Sequence, residues 1–108
     1  MTEIEAEDWI VDRGHDVLTK QSEAGSEALT PYERMVLHLW YVDYCMRNAG
    51  DLANLEELCE DCLNQAARVA QTLNLPRTVA LFAKDREAIE QNYLTDIGAI
   101  VTELAQID

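Results

Sequence analysis

The sequence predicts an all-α protein, a compact bundle of four long helices and one short one in a single domain over residues 1–108. Three observations carry that expectation. Apolar residues recur at spacings of three and four along most of the chain. Only two prolines and four glycines interrupt it. No segment shows sustained period-two alternation beside a turn, so no sheet is expected. With 108 residues, 48% of them hydrophobic, the chain can bury a core without disulfides and is too apolar for a disordered acidic tail.

The first helix is expected from Glu3 to Lys20. Thr2 and Glu5 spell a T-x-x-E capping box, in which each side chain satisfies an orphan backbone N–H. Ile4, Val11 and Leu18, with Ile10 and Val17 beside them, form its apolar stripe. Gly14 weakens a helix by about 1 kcal/mol relative to Ala and marks a close approach by a neighbour. Ser22 to Leu29, holding Gly25 and Ser26, reads as a flexible joint.

The second helix, over about residues 31–47, is the central one. Thr30 caps it, Pro31 takes the first position and Glu33 closes a second capping box. Met35 to Met46 is apolar almost all round, with Asp43 its one acid, and such a helix must be covered by others. Gly50 supplies a left-handed stop. The third helix is expected from Asp51 or Asn54 to Leu73, its inner face formed by Leu52, Leu55, Cys59, Cys62, Ala66, Val69 and Leu73. Asn74-Leu75-Pro76 ends it, and a short helix spans Arg77 to Ala83. The last helix starts at the cap Asp85 and runs to Gln106, with Ile89, Tyr93, Ile97, Ile100, Leu104 and Ile107 as its stripe and Gly98 as a point of close packing.

Twenty-one acidic residues face eight basic ones, a formal net charge of −13. Such a surface repels DNA, RNA and anionic membranes and attracts cations or basic protein surfaces. Direct nucleic-acid or membrane binding is therefore not expected. The chain starts Met-Thr-Glu-Ile-Glu, without a basic start or an apolar run, so a cytoplasmic location is expected. Three cysteines in that setting read as free thiols.

Enzyme chemistry finds little support in the motifs. Cys59-Glu60-Asp61-Cys62 is a C-x-x-C pair, but the expected third helix places it mid-helix on the buried face, beside carboxylates that raise a thiol pKa. Core packing is the expectation there, with redox and metal roles as alternatives. A zinc site needs further ligands, for which Cys45, His15 and His38 are the only candidates. Asp12-Arg13-Gly14-His15 is a lone D-x-x-H, and no E-x-x-H, nucleophile elbow or phosphate loop is present. No catalytic residue, metal ligand or cofactor is assigned.

What remains is the arrangement of carboxylates. Asp8, Asp12 and Asp16 follow at i, i+4 on the first helix. Glu56/Glu60 and Glu57/Asp61 are like-charged i, i+4 pairs on the third, and Glu87 and Glu90 lie early in the last. Such rows space charges several ångströms apart, as a DNA strand spaces its phosphates. These nine residues are the expected partner-binding set, and a basic protein is the expected partner. The alternatives are an immunity- or antitoxin-like inhibitor of a basic toxin or nuclease, and a metal- or thiol-dependent helical enzyme.

One stretch resembles a known family. Leu29-Thr30-Pro31-Tyr32-Glu33-Arg34, the apolar helix, Asp43 and Asn48-Ala49-Gly50-Asp51-Leu52 are similar to a bacterial helical domain family of unknown function. There an E-R start leads into an apolar helix ending in E-V-x-N-G-G-F, from which Ala49, Asp51 and Leu52 depart. Gln65-Ala66-Ala67 to Phe82 and then Tyr93 fill the remaining parts, so the likeness covers about residues 29–107. One member of that family is an acidic, dimeric DNA mimic that binds a transcription factor in place of DNA. The resemblance implies a homodimer that occupies the DNA-binding surface of a regulator.

Overall fold

The computed structural model describes residues 1–107. Six helices fold into a body of 35 × 30 × 25 Å, with no strand among the described residues. They are α1 (Glu3–Ala24), α2 (Pro31–Ala49), α3 (Leu55–Leu58), α4 (Cys62–Thr72), α5 (Pro76–Phe82) and α6 (Arg86–Ala105), with a 3-10 turn at Ser26–Ala28. Only α1, α2 and α6 approach twenty residues. None of the helices is long and apolar enough to cross a membrane.

The predicted starts are found where the caps stand. Thr2 Oγ1 accepts from the Glu5 N–H at 3.1 Å and Glu5 returns the bond to the Thr2 N–H at 2.9 Å. Thr30 and Glu33 repeat that exchange, and Asp85 caps α6 through the Ala88 N–H. Gly50 ends α2 with φ +73°, a conformation an L side chain resists. The predicted joint is partly helical instead. α1 runs on to Ala24, Gly25 turns the chain, and Gln21 fastens the 3-10 turn through the Ser26 hydroxyl at 2.8 Å.

The third predicted helix is two. α3 stops after Leu58, Cys59 is extended, Asp61 takes a left-handed conformation at φ +56°, and α4 starts at Cys62. A continuous helix would hold Glu56 over Glu60 and Glu57 over Asp61, two repulsive pairs. The break dissolves both. It also gives the Asp61 N–H to Glu56 Oε1 at 3.1 Å and the Asn64 amide to Asp61 Oδ1 at 2.7 Å. Aspartate tolerates the left-handed region better than most residues.

α2 is mostly buried, but its cover is incomplete: Tyr44 is 44% exposed and Trp40 and Tyr41 are partly so. Met35, Val36, Leu39 and Val42 are fully buried, and α2 packs against α1, α3 and α4. α1 and α6 pack against each other, as do α5 and both α4 and α6. In α1 the buried stripe is Ala6, Ile10, Gly14 and Val17, so Ile4, 71% exposed, lies off it. Gly14 is where α1 meets α2, because a Cβ there would overlap the Trp40 indole. Gly98 likewise leaves room for the backbone of Met1.

Two carboxylates of α6 hold other elements in place. Glu103 accepts the Arg77 N–H, the Thr78 N–H and the Thr78 hydroxyl at 2.9–3.1 Å, supplying the N-terminus of α5 with partners from another helix. Glu90 accepts the Leu52 N–H at 2.7 Å and pins the turn after α2. Within the core, Tyr93 of α6 donates its hydroxyl to Asp43 Oδ1 of α2 at 2.6 Å. Arg47 Nε lies 2.6 Å from Asp43 Oδ2 and 3.0 Å from Glu7 of α1, so these ion pairs and the Tyr93 hydrogen bond together join three helices.

Gly14→Ala should destabilise the protein by about 1–3 kcal/mol, overpacking at Trp40 outweighing the gain in helix propensity. Urea unfolding is the measurement, and an unchanged midpoint would show that the α1–α2 crossing has slack. Tyr93→Phe should cost about 1.5–3 kcal/mol, the range for a hydrogen bond to a charged group. Burial pushes the Asp43 carboxyl above its usual pKa, against the Tyr93 and Arg47 contacts. The folded state thus holds that proton more tightly than the unfolded chain does. Asp43's contribution to stability is therefore fullest below the ordinary carboxylate range and falls as pH rises through the raised pKa. The stability of the wild type relative to Asp43→Asn should decline across that window in unfolding curves taken at several pH values, and a difference that rises with pH would reverse the assignment.

Candidate functional site

The nine predicted acidic positions divide by what the structure does with them. Asp8, Asp12 and Asp16 are all exposed on α1. Four residues of helix advance about 6 Å, so their Cα atoms form an evenly stepped row. Glu87 is exposed in the first turn of α6. Glu56 and Glu57 are exposed on α3, whereas Glu60 and Asp61 lie in the break, so these four do not form the helix-borne row expected of them. Glu56 and Asp61 stabilise that break, and Glu90 is engaged with Leu52 and with Arg86 at 3.5 Å. The helix break thus redistributes the set rather than gathering it on one face.

The same break assembles a group of side chains that the sequence kept apart. Cys62 is the first residue of α4 and donates its N–H to the Cys59 carbonyl at 3.2 Å, closing a tight turn over Glu60 and Asp61. His38, on the inner face of α2, meets that turn. Its Nδ1 lies 3.6 Å from Cys59 Sγ and 3.7 Å from Cys62 Sγ. The three donor atoms all fall within 4.8 Å of one another. His38 and Cys62 are buried and Cys59 is partly exposed. The mid-helix placement of the C-x-x-C pair is thereby corrected: it is a loop-to-helix turn packed on an imidazole.

This arrangement separates the two thiols electrostatically. The neighbouring Cys62 thiol, with help from His38, lowers the Cys59 pKa to about 5 in spite of burial. The Cys59 sulfur beside it, and then burial, push the Cys62 thiol up, and that thiol points a hydrogen bond at the His38 carbonyl at 3.9 Å. The carboxylates beside the pair were expected to make both thiols inert. Glu56 does act in that direction on Cys59, but more weakly than Cys62 and His38. Burial and then Cys59 push the Tyr41 phenol up, so Tyr41 belongs to the same surroundings. Cys45 lies elsewhere in the core, and burial raises it too.

Cys59 and His38 open on a cleft of about 340 Å³, whose wall also includes Leu37, Tyr41, Leu58 and Gln65. Chemically the group offers one accessible thiolate, a second sulfur behind it and an imidazole nitrogen facing both. The sequence named His38 only as one of three candidate further ligands, and nothing in it gave the distance to the cysteines. The available signal was the density of acids at Glu56 to Asp61, which argues against an unbroken helix.

In reduced protein kept with a chelator, Cys59 should be the cysteine that iodoacetamide modifies first. An ordinary thiol of pKa ~8.5 gains about tenfold in thiolate per pH unit below that value. With a pKa of about 5, Cys59 should instead react at a nearly constant rate between about pH 6.5 and 8. Peptide mass spectrometry reads the site and stopped time points the rate. A tenfold rise per unit across that range would show that Cys59 is not held as a thiolate.

Comparison with known protein families, curated proteins and solved structures finds no match to this chain, and its site is therefore read from its own geometry.

Proposed function

We propose that the protein is an acidic interaction module that binds a basic protein surface, in its specific form the DNA-binding surface of a regulator. The observation that carries the reading is the charge. Even if every one of the eight basic residues were paired, thirteen carboxylates would remain uncompensated. Like charge on this scale opposes compaction of the fold, and a cationic partner relieves it. Part of the acidity serves internal purposes: Glu5, Glu33 and Asp85 at helix starts, Glu7 and Asp43 around Arg47, Glu56 and Asp61 at the break, and Glu90 and Glu103 as braces. The Asp8–Asp12–Asp16 row on α1 is the part of the expected set that supports the reading best, being exposed and regularly spaced. An inhibitor of a basic toxin would use the same attraction, so both forms share one test. Pairing of two copies of this chain through these faces would set like charges against each other, so a homodimer would use another surface.

The test is capture from a lysate of the native host by the immobilised protein, with elution by salt. The screening length falls from ~10 Å at 0.1 M to ~3 Å at 1 M, so a bound basic protein should be retained at the lower concentration and released by the higher. The triple variant Asp8→Asn, Asp12→Asn, Asp16→Asn should weaken capture about tenfold, each exposed charge being worth roughly 0.5 kcal/mol. Recovery of no basic protein at low salt, or retention unaffected by both salt and the triple variant, would refute the proposal.

A further inference from the structure

We propose that His38, Cys59 and Cys62 form a three-ligand site for a thiophilic divalent cation, zinc in the first instance, with its fourth position reached from the cleft beside Cys59.

The donor positions carry the inference. Zinc holds sulfur at about 2.3 Å and imidazole nitrogen at about 2.0–2.1 Å, and at tetrahedral angles these bonds set sulfur and nitrogen about 3.5–3.6 Å apart. The observed separations from Nδ1 are 3.6 and 3.7 Å. Both sulfur–nitrogen separations match to within a tenth of an ångström or two, and the two sulfurs lie within 4.8 Å of each other, where a shared zinc would set them about 3.8 Å apart. One ring nitrogen makes one linear hydrogen bond, as donor or acceptor according to its tautomer, so hydrogen bonding aligns it with one sulfur and not with both. Here one nitrogen stands nearly equidistant from two sulfurs. A cation at the centre of the three satisfies all of them at once.

The backbone supports the same arrangement. A C-x-x-C pair binds a metal when a tight turn points both sulfurs the same way, and the Cys62 N–H to Cys59 carbonyl bond, with Asp61 left-handed, makes such a turn. His38 comes from a different helix and closes the set across the α2–α4 packing. Two sulfurs and one imidazole suit zinc over magnesium or calcium, which prefer oxygen. The surface carboxylates of this acidic protein would bind cations too, but weakly and without sulfur. Structural zinc sites are closed by four protein ligands, whereas sites with three keep a position for water or substrate. Cys59 and His38 line the cleft and Cys62 lies behind them, so the position left over is accessible to a small molecule.

The experiment titrates the full, reduced, chelator-treated chain with zinc, and in parallel with cobalt as a spectroscopic stand-in. One equivalent should bind with a sharp end point. Cobalt should give thiolate charge-transfer absorption and the visible bands of a tetrahedral ion. Cys59→Ser and His38→Ala should each lower zinc affinity by ~100-fold or more, since even outer partners of metal ligands are worth 10–100-fold. Cys45→Ser should bind as the wild type does. Cys62 is the most buried of the three ligands, and its replacement risks the fold. Cys59→Ser, partly exposed, therefore carries the decision, with circular dichroism checking that the helices persist. Equal zinc binding by wild type and Cys59→Ser, or cobalt spectra without thiolate absorption, would assign the cation to surface carboxylates and overturn the proposal. So would formation of a Cys59–Cys62 disulfide under mild oxidation at an undiminished rate with stoichiometric zinc present.

Discussion

Everything in this fold is arranged around the need to cover α2. A helix apolar from Met35 to Met46 must bury most of its surface, and the chain supplies its cover from both sides in sequence, leaving the Tyr44 edge exposed. Each contact that fixes the cover is specific. Gly14 lets α1 approach until its backbone meets the Trp40 ring. Asp43 takes the Tyr93 hydroxyl of α6 and the Arg47 guanidinium, which also reaches Glu7 of α1. His38 receives the turn between α3 and α4. The buried His38 and Asp43 side chains of α2 are thus the points where its neighbours are keyed to it, which is the role in which polar groups in a core are best tolerated.

Much of this was legible in the residues. Three of the helix starts are written as capping boxes or caps, and one stop is written as Gly50. These signals are local, so they survive without knowledge of the fold. The 3.6-residue stripe of α6 was also readable, because the stripe faces one core along its whole length, with only Ile107 falling outside. The stripe of α1 misled at Ile4, since an end residue can satisfy the period and still project beyond the neighbour it should pack on.

The break at Cys59 to Asp61 was not legible, and the site depended on it. Residues 54–73 satisfy a helical period on both sides of the break, and periodicity does not register a turn that restores the phase. What decides against continuity is the energy of stacking Glu56 over Glu60 and Glu57 over Asp61, each a fraction of a kcal/mol, together with an aspartate able to go left-handed. Those terms are small beside the burial of a helix face. They prevail here because Cys62, Ala66 and Ala70 of α4 still reach the core after the break, so no apolar burial is given up. Acidic residues therefore act in two ways: some brace helix ends or enforce the turn, as Glu103, Glu90 and Glu56 do, and others such as Asp8, Asp12 and Asp16 stay exposed.

The two functional proposals rest on different parts of the molecule, the outer face of α1 and the inner meeting of α2 with α4, and both require α2 to be the fixed centre. Native-state hydrogen exchange across a denaturant series tests that most directly. The amides of Met35 to Met46 should exchange only through global unfolding, with the full denaturant dependence of the whole protein. Those of Leu55 to Asp61 should open locally and earlier. Local, denaturant-independent exchange along α2, at rates equal to those of α3, would contradict the account.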